Sequence, residues 1–299
     1  MTECERIVEQ CILPPEFFYE DERCGFTVSI ERKKIWAIGL DLFFQLQKVC
    51  EKYKLKYFLF WGSLLGVIRH KGFIPWDDDL DIGMPREDYE ELISHAKDFS
   101  FPYFLHNHST DNTFYYSHTK LRNSNTSAIN RAFKHQSFNH GMSIDIHPID
   151  NWDIVNGKKD YEIINTLNIN NSTYMRINNP DLTEAEIERV KNYNSNPEKD
   201  IQEIQRIAKK YIKESTDFVS CPTLTLYEYG KNCFNKTDFE KIILGKFEGF
   251  DVPIPCGWKN ILNTIYGNWK EYPPVKDRGH WHDRNLVDPD TPYSEKLRK

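Results

Sequence analysis

From Glu31 to Tyr53 apolar residues recur at helical spacing. Ile35, Ile38, Leu42, Leu46 and Val49 fall on one face, which predicts an amphipathic helix. The apolar run Tyr57–Trp61 reads as a buried strand ending at Gly62-Ser63, and helical spacing resumes over Leu64–His70. Pro85 sits at a first helical position with Glu87 and Asp88 behind it, which predicts a helix to about Lys97. Tyr103–His106, Phe114–Arg122 and Met142–Pro148 read as strands. Helix and strand do not alternate strictly, so the expected class is α/β in the α+β sense, a mixed sheet flanked by helices.

Between Asn156 and Phe218 the pattern changes, and asparagine and charged residues dominate. Two helices are predicted there. One starts at Thr183, with Glu186 three residues on forming a capping box; the other runs from about Lys199 to Glu214. This stretch, 156–218, reads as a helical insertion between a core at 29–155 and its C-terminal part at 219–282. Two further strands, Leu224–Tyr229 and Lys246–Phe250, lead to a helix near Trp258–Ile265. Residues 1–28, with Pro14-Pro15, read as a loose arm or small cap, and 283–299 as a polar tail.

Composition narrows the class. A chain of 299 residues with 39% hydrophobic and 14% aromatic content buries a core and is not disordered. A net charge of −6 argues against general nucleic-acid affinity, although Arg69, His70, Lys71, Lys120 and Arg122 offer a local basic patch. No apolar run approaches the ~20 residues that span a bilayer, and MTECERIVEQ has no signal-peptide pattern. The expectation is a cytoplasmic protein, with contact at the inner membrane face compatible with it. Triplets such as Asn125-Thr126-Ser127 then carry no glycan. The seven cysteines are scattered without a CxxC pair, as in a reduced cytosolic chain.

The chemistry concentrates in FWGSLLGVIRHKGFIPWDDDLDIGM, Phe60 to Met84. In an extended chain Asp77, Asp79 and Asp81 point one way while Leu80 and Ile82 point to the core. Carboxylates so arranged repel, and a bound cation relieves them. A solvated acidic turn is the bland reading. A calcium loop would place Asp77, Asp79, Asp81 and Asp88 at positions 1, 3, 5 and 12, but Ile82 stands where that loop needs glycine. The third reading is a transferase metal pair. Gly83 and the lack of a preceding apolar strand exclude a phosphatase of the haloacid dehalogenase type. Upstream, Gly62 and Ser63 would seat phosphate oxygens, with Ser63 also capping the helix. A phosphate-cradling turn beside a divalent cation suits phosphoryl or nucleotidyl transfer, and the order of parts matches the nucleotidyltransferase fold.

Two other segments add candidates. Asp145 shares the polar face of an alternating strand with Ser143 and His147, between Ile144 and Ile146. Lys120 and Arg122 share a face and are placed to reach a diphosphate; solvated strand charges are the equal alternative. His280 and His282 have no third ligand nearby, and Cys221, Cys233 and Cys256 are too widely spaced to imply zinc.

The string GSLLGVIRHKGFIPWDDDLDIGMPREDYEEL resembles the signature of the LicD family, the bacterial phosphocholine transferases, and is similar to the fukutin-type transferases. TKLRNSNTS (Thr119 to Ser127), GMSIDIHPID (Gly141 to Asp150) and YGNWKEYPP (Tyr266 to Pro274) continue the likeness in order, over roughly residues 30 to 282 and poorly between 155 and 240. The resemblance implies a Mg²⁺-dependent enzyme, with Mn²⁺ an alternative. It would move the phospho-alcohol of a CDP-activated alcohol such as CDP-choline to a hydroxyl of a cell-surface glycan precursor (teichoic acid, lipopolysaccharide or capsule) and release CMP. Asp79 and Asp81 would hold the metal and Asp77 would orient them. Asp145, where the family has an acidic residue, would be the base or a third ligand, with the base preferred. Gly62, Ser63, Lys120 and Arg122 would bind the donor. His147 departs from the aromatic residue of many relatives and is expected to be structural. A nucleotidyltransferase acting on a small acceptor and a non-catalytic binding protein of the same fold are the alternatives.

Overall fold

The computed structural model describes residues 1–10, 12–214, 216–224, 228–278 and 285–297. The long helix forms where its pattern placed it, at Ile30–Tyr53. The Ser29 side chain accepts the N–H of Arg32 at the start, and Lys54 ends the helix in the left-handed conformation with φ 58°. Its buried residues, Trp36, Leu40, Phe43 and Leu46 among them, form the centre of the main core.

That core is completed by a central sheet of seven strands: β1 (Phe58–Leu59), β2 (Asp81–Pro85), β3 (Tyr103–His106), β4 (Thr119–Asn123), β5 (Met142–Trp152), β6 (Phe218–Ser220) and β7 (Cys233–Asn235). The path runs β7-β6-β5-β2-β1, with β4 also paired to β5 and β3 to β4. β2 and β5 are parallel, whereas β4 and β6 run antiparallel to β5. The sheet is therefore mixed. Alternation along its strands sends Ile82, Met84, Leu105, Leu121, Ile144 and Ile146 into the core shared with the long helix. A buried pair of hydrogen bonds donated by Arg86 to the Asp150 carboxylate, at 2.6 and 2.7 Å, ties the helix Arg86–Ser94 to β5.

Several expectations are corrected. The strand read from Phe114 begins at Thr119, because Phe114 leaves the sheet to stack on His106. Lys246–Phe250 straddles a hairpin: Ile242–Phe247 pairs with Phe250–Pro255 through Glu248 and Gly249, both at positive φ. Leu224–Tyr229 falls partly outside the described residues, and Tyr229 opens a 3₁₀ turn. The insertion holds a helix at Gly157–Tyr174 that the sequence pattern missed. Its Asn-rich face buries Tyr161 and Ile164 but then Asn171 and Thr173, so the apolar stripe fades. Glu184–Lys191 starts at the expected Thr183–Glu186 capping box, and Pro197–Ala208 follows.

The N-terminal segment is no loose arm: Ile7, Leu13 and Val28 lie in the main core, and Arg6 pairs with buried Asp41 at 2.5 Å. The predicted tail also returns to the body. Asn285–Asp288 pairs with Ser127–Asn130, and the Ser127 hydroxyl donates to the Thr291 carbonyl. Among the described residues, no helix is long and apolar enough to cross a membrane.

Candidate active site

Register puts the polar residues of the sheet in one row. Asp81 of β2 is the partner of Asp145 of β5; Asp145 is the partner of Lys120 of β4; Lys120 is the partner of His106 of β3. Paired residues share a face, so the same side carries Arg122 beside Ser143 and, one step the other way, His147 beside Gly83. Each of these lies two residues from a member of the central row, which is why one face of the sheet is chemical and the other is core.

The acidic turn is fixed from below. Trp36 Nε1 and Arg32 donate to the carbonyl of Asp77 at 2.8 and 3.1 Å, and the Asp78 N–H meets Asp77 Oδ1 at 3.1 Å. The Asp81 N–H donates to Ser63 Oγ at 2.8 Å, and the Asp145 N–H donates to the carbonyl of Leu80 at 2.9 Å. Burial first, then the charges of Asp77, Asp81, Asp78 and Asp145, push the carboxyl of Asp79 well above the usual carboxylate range. A group so crowded by like charge fits a divalent cation, and carboxylate oxygens such as those of Asp79 and Asp81 suit Mg²⁺ or Mn²⁺; among the described residues the three ligand-bearing side chains that converge within 4.8 Å are His118, Asp145 and His147.

Gly62 and Ser63 sit inside a short helix, Trp61–Leu65, that continues as a π-helical turn through His70. Phe60 takes the capping position and no side chain caps it, so Ser63 is not the cap expected from the sequence. Ser63 is buried, and its hydroxyl positions the backbone of Asp81. Gly62 leaves space against Asp77: a Cβ there would meet Oδ2 at 3.1 Å. Trp61 enters this helix at φ 40°, a costly conformation for a bulky residue, and its ring meets His147 edge-on at 5.1 Å.

Asp145 is held by a lysine and flanked by a histidine. Lys120 Nζ bridges both carboxylate oxygens at 2.5 and 2.6 Å, and His118 Nε2 lies 3.4 Å from Oδ2. Burial alone would raise this carboxyl; Lys120, then His118 and His147, pull it well below the usual range. Burial also lowers His118, to about 4. For His147 the effect of burial is outweighed by Asp81, 3.7 Å from Nε2, and by Cys221, which push it up to about 10.

Arg122 is buried, which lowers its pKa to about 10, and donates to His106 Nδ1 at 2.8 Å and the Gly141 carbonyl at 2.7 Å. Lys120, Arg122, Asp78, Asp79 and Asp145 line one cavity of about 260 Å³. A second, of about 370 Å³, opens on the far side of Tyr116 between the helices Arg86–Ser94 and Pro197–Ala208, with Tyr89, Asn107, His118 and Gln202 in its wall. The rest of the basic patch faces elsewhere: Arg69 donates to the carbonyls of Trp269 and Glu271, both at 2.9 Å, anchoring the C-terminal YGNWKEYPP segment.

His118 is the residue that sequence reasoning missed. Its signal was the same alternation that picked out Lys120 and Arg122, extended one step towards the N-terminus. His280 and His282 lie outside the described residues.

Comparison with known proteins agrees with this geometry. Residues 54–162, which contain the acidic turn, β4 and all of β5, match the family model for the LicD/FKTN/FKRP nucleotidyltransferase domain. The chain is 27% identical over 261 residues to the lipopolysaccharide cholinephosphotransferase LicD of Haemophilus influenzae, covering 82% of this chain and 93% of that protein. It is also 44% identical over 70 residues to an uncharacterized protein of Rickettsia prowazekii, covering 21% of this chain and 26% of that one. A segment of 75 residues is 38% identical to an uncharacterized protein of Rickettsia typhi, 24% of each chain. The row of acidic and basic residues on β2, β5 and β4 thus lies within the segment that matches the LicD/FKTN/FKRP nucleotidyltransferase domain model.

Proposed function

We propose that the protein transfers phosphocholine from CDP-choline to a hydroxyl of a lipopolysaccharide or related cell-surface glycan, releasing CMP, in a Mg²⁺-dependent reaction at the cytoplasmic side of the membrane. The observation that carries this reading is the pairing of Asp81 with Asp145 beside crowded Asp79, in a chain resembling a lipopolysaccharide cholinephosphotransferase over nearly that protein's whole length.

Asp79, Asp81 and Asp145 would hold the ion, which when bound neutralises the donor's diphosphate and stabilises charge in an in-line displacement. Lys120 and Arg122 supply further positive charge along the cavity wall for the departing CMP. Asp145 suits a ligand role better than the role of base expected from its strand. A base works best with a pKa near the operating pH, and Lys120 and His118 hold this carboxyl far below that. Ser63 and Trp36 keep the acidic turn in place.

Incubating the purified chain with CDP-choline, Mg²⁺ and a lipopolysaccharide acceptor should yield CMP and an acceptor heavier by phosphocholine. Incorporation of a whole nucleoside monophosphate would favour the nucleotidyltransferase alternative. No turnover, together with no change in melting temperature on adding CDP-choline and Mg²⁺, would favour a non-catalytic role.

A further inference from the structure

Two buried imidazoles stand beneath the carboxylate row with unmet hydrogen-bonding capacity. His118 and His147 are 8% and 1% exposed, and their rings lie 4.6 Å apart. His118 Nε2 makes no hydrogen bond, and neither does either ring nitrogen of His147. A buried polar atom without a partner is costly, and one ion between the two rings would meet one such nitrogen of each. Both rings face Asp145, and one donor atom from each of the three side chains falls within 4.8 Å of the others.

We propose that His118, His147 and Asp145 bind a divalent transition-metal ion such as Zn²⁺, on the histidine side of Asp145 and Asp81 rather than at Asp79. Two imidazoles and one carboxylate form a donor set for Zn²⁺, Fe²⁺ or Co²⁺ rather than for Mg²⁺, which favours oxygen. The 3.4 Å from His118 Nε2 to Asp145 Oδ2 matches the edge of a tetrahedron drawn around an ion with bonds of about 2.1 Å. Asp81 Oδ1, 3.7 Å from His147 Nε2, stands where a fourth ligand would. Lys120 already occupies Asp145, but a carboxylate has about four lone-pair sites and takes a second cation. Trp61 packs against the outer edge of His147 and limits its swing. The inference shares Asp145 and Asp81 with the proposed transferase centre but does not rest on transfer, since the ion binds without donor or acceptor.

Co²⁺ tests this with a readout independent of turnover. Titrated into the chelator-treated full chain without nucleotide, it should give the visible absorption of a four- or five-coordinate site. Proton NMR should show exchangeable, paramagnetically shifted imidazole N–H signals from two histidines in the unaltered protein. Affinity should fall by at least ~10-fold in His118→Gln and in His147→Phe, the latter retaining the ring packing. It should survive Asp79→Asn. Absence of shifted imidazole signals from the unaltered protein would overturn the assignment without any need for a variant to fold. So would Co²⁺ affinity lost in Asp79→Asn but kept in His147→Phe, which places the ion among the acidic residues alone. A failed transfer assay combined with intact Co²⁺ spectra would reject the transferase reading and leave this site standing.

Discussion

Asp81 and Asp145 are partners on two adjacent parallel strands, and the N–H of Asp145 donates to the carbonyl of the residue before Asp81, at 2.9 Å. Their separation is set by backbone ladder rather than by flexible side chains. Two like charges are thereby built into neighbouring positions, and everything around them offsets that cost: Lys120 on one flank, His147 behind, and the cation proposed in front.

Removing one of these charges should separate catalysis from stability. Asp79→Asn and Asp81→Asn should each lower turnover by at least ~10²-fold, because electrostatic stabilisation dominates phosphoryl transfer. Asp79→Asn should also raise the melting temperature of the metal-free protein, since Asp79 is the carboxylate most crowded by its neighbours. Differential scanning calorimetry with and without chelator checks this; a lowered melting temperature in both conditions would refute it.

Lys120→Met leaves Asp145 half-buried without its bidentate partner. Losing one member of such a pair typically costs about 3 kcal/mol. The same change should raise the Asp145 pKa toward and beyond its ordinary value. Urea unfolding at neutral pH gives the first quantity and carbon-detected NMR titration of the Asp145 carboxyl gives the second.

Ser63→Ala discriminates between two uses of one hydroxyl. If Ser63 positions Asp81 through its backbone, as the 2.8 Å bond implies, the variant should lose about 1–2 kcal/mol of stability and roughly 10-fold in turnover. Donor affinity should stay nearly unchanged. A rise in the dissociation constant for CDP-choline at full stability would instead put the hydroxyl on a phosphate.

Acid should weaken the fold through histidines buried neutral. Burial, then Arg122 and Lys120, lower His106 to about 2; burial lowers His140 to about 4. Below the ordinary value of ~6.5 the unfolded chain takes up protons that these folded-state groups refuse, so stability falls with falling pH. Each should contribute about 1 kcal/mol of loss one unit below that value. His147 works in the other direction. Its raised pKa adds stability that is complete below ~6.5 and fades as pH climbs through about 10, so it does not offset the acid loss. Urea midpoints measured across this range should show the acid slope, reduced in His106→Asn.

What the sequence made legible was whatever one element could express alone. The helix at 30–53 and the Thr183–Glu186 capping box were readable because a periodic stripe and a local hydrogen-bond pair are sequence-local features. The acidic turn was readable from its spacing and from the family likeness. The ion pair of Lys120 with Asp145 was not, because it depends on which strands are neighbours and in what register. Ser63 looked like a helix cap because nothing in the chain announces that the helix starts at Trp61 and that Asp81 folds back onto its hydroxyl. The helix Gly157–Tyr174 was hidden because its buried face passes from Tyr161 and Ile164 to Asn171 and Thr173, which interrupts the apolar stripe.

The insertion also has a small core of its own, in which Trp152, Tyr161, Ile164, Ile204, Ile207 and Tyr211 pack apart from the main one. Its helix Pro197–Ala208 nevertheless supplies a wall of the larger cavity beside His118. The match to the family model stops at residue 162, before that wall begins. Shape at the cavity mouth is therefore set on one side by Tyr89 and His118 of the main body and on the other by a helix packed in this smaller core. Substitutions at Ile201, Gln202 or Gln205 can reshape what fits beside the site while the ladder that spaces Asp81 from Asp145 stays as it is, which makes the cavity the freer of the two to drift.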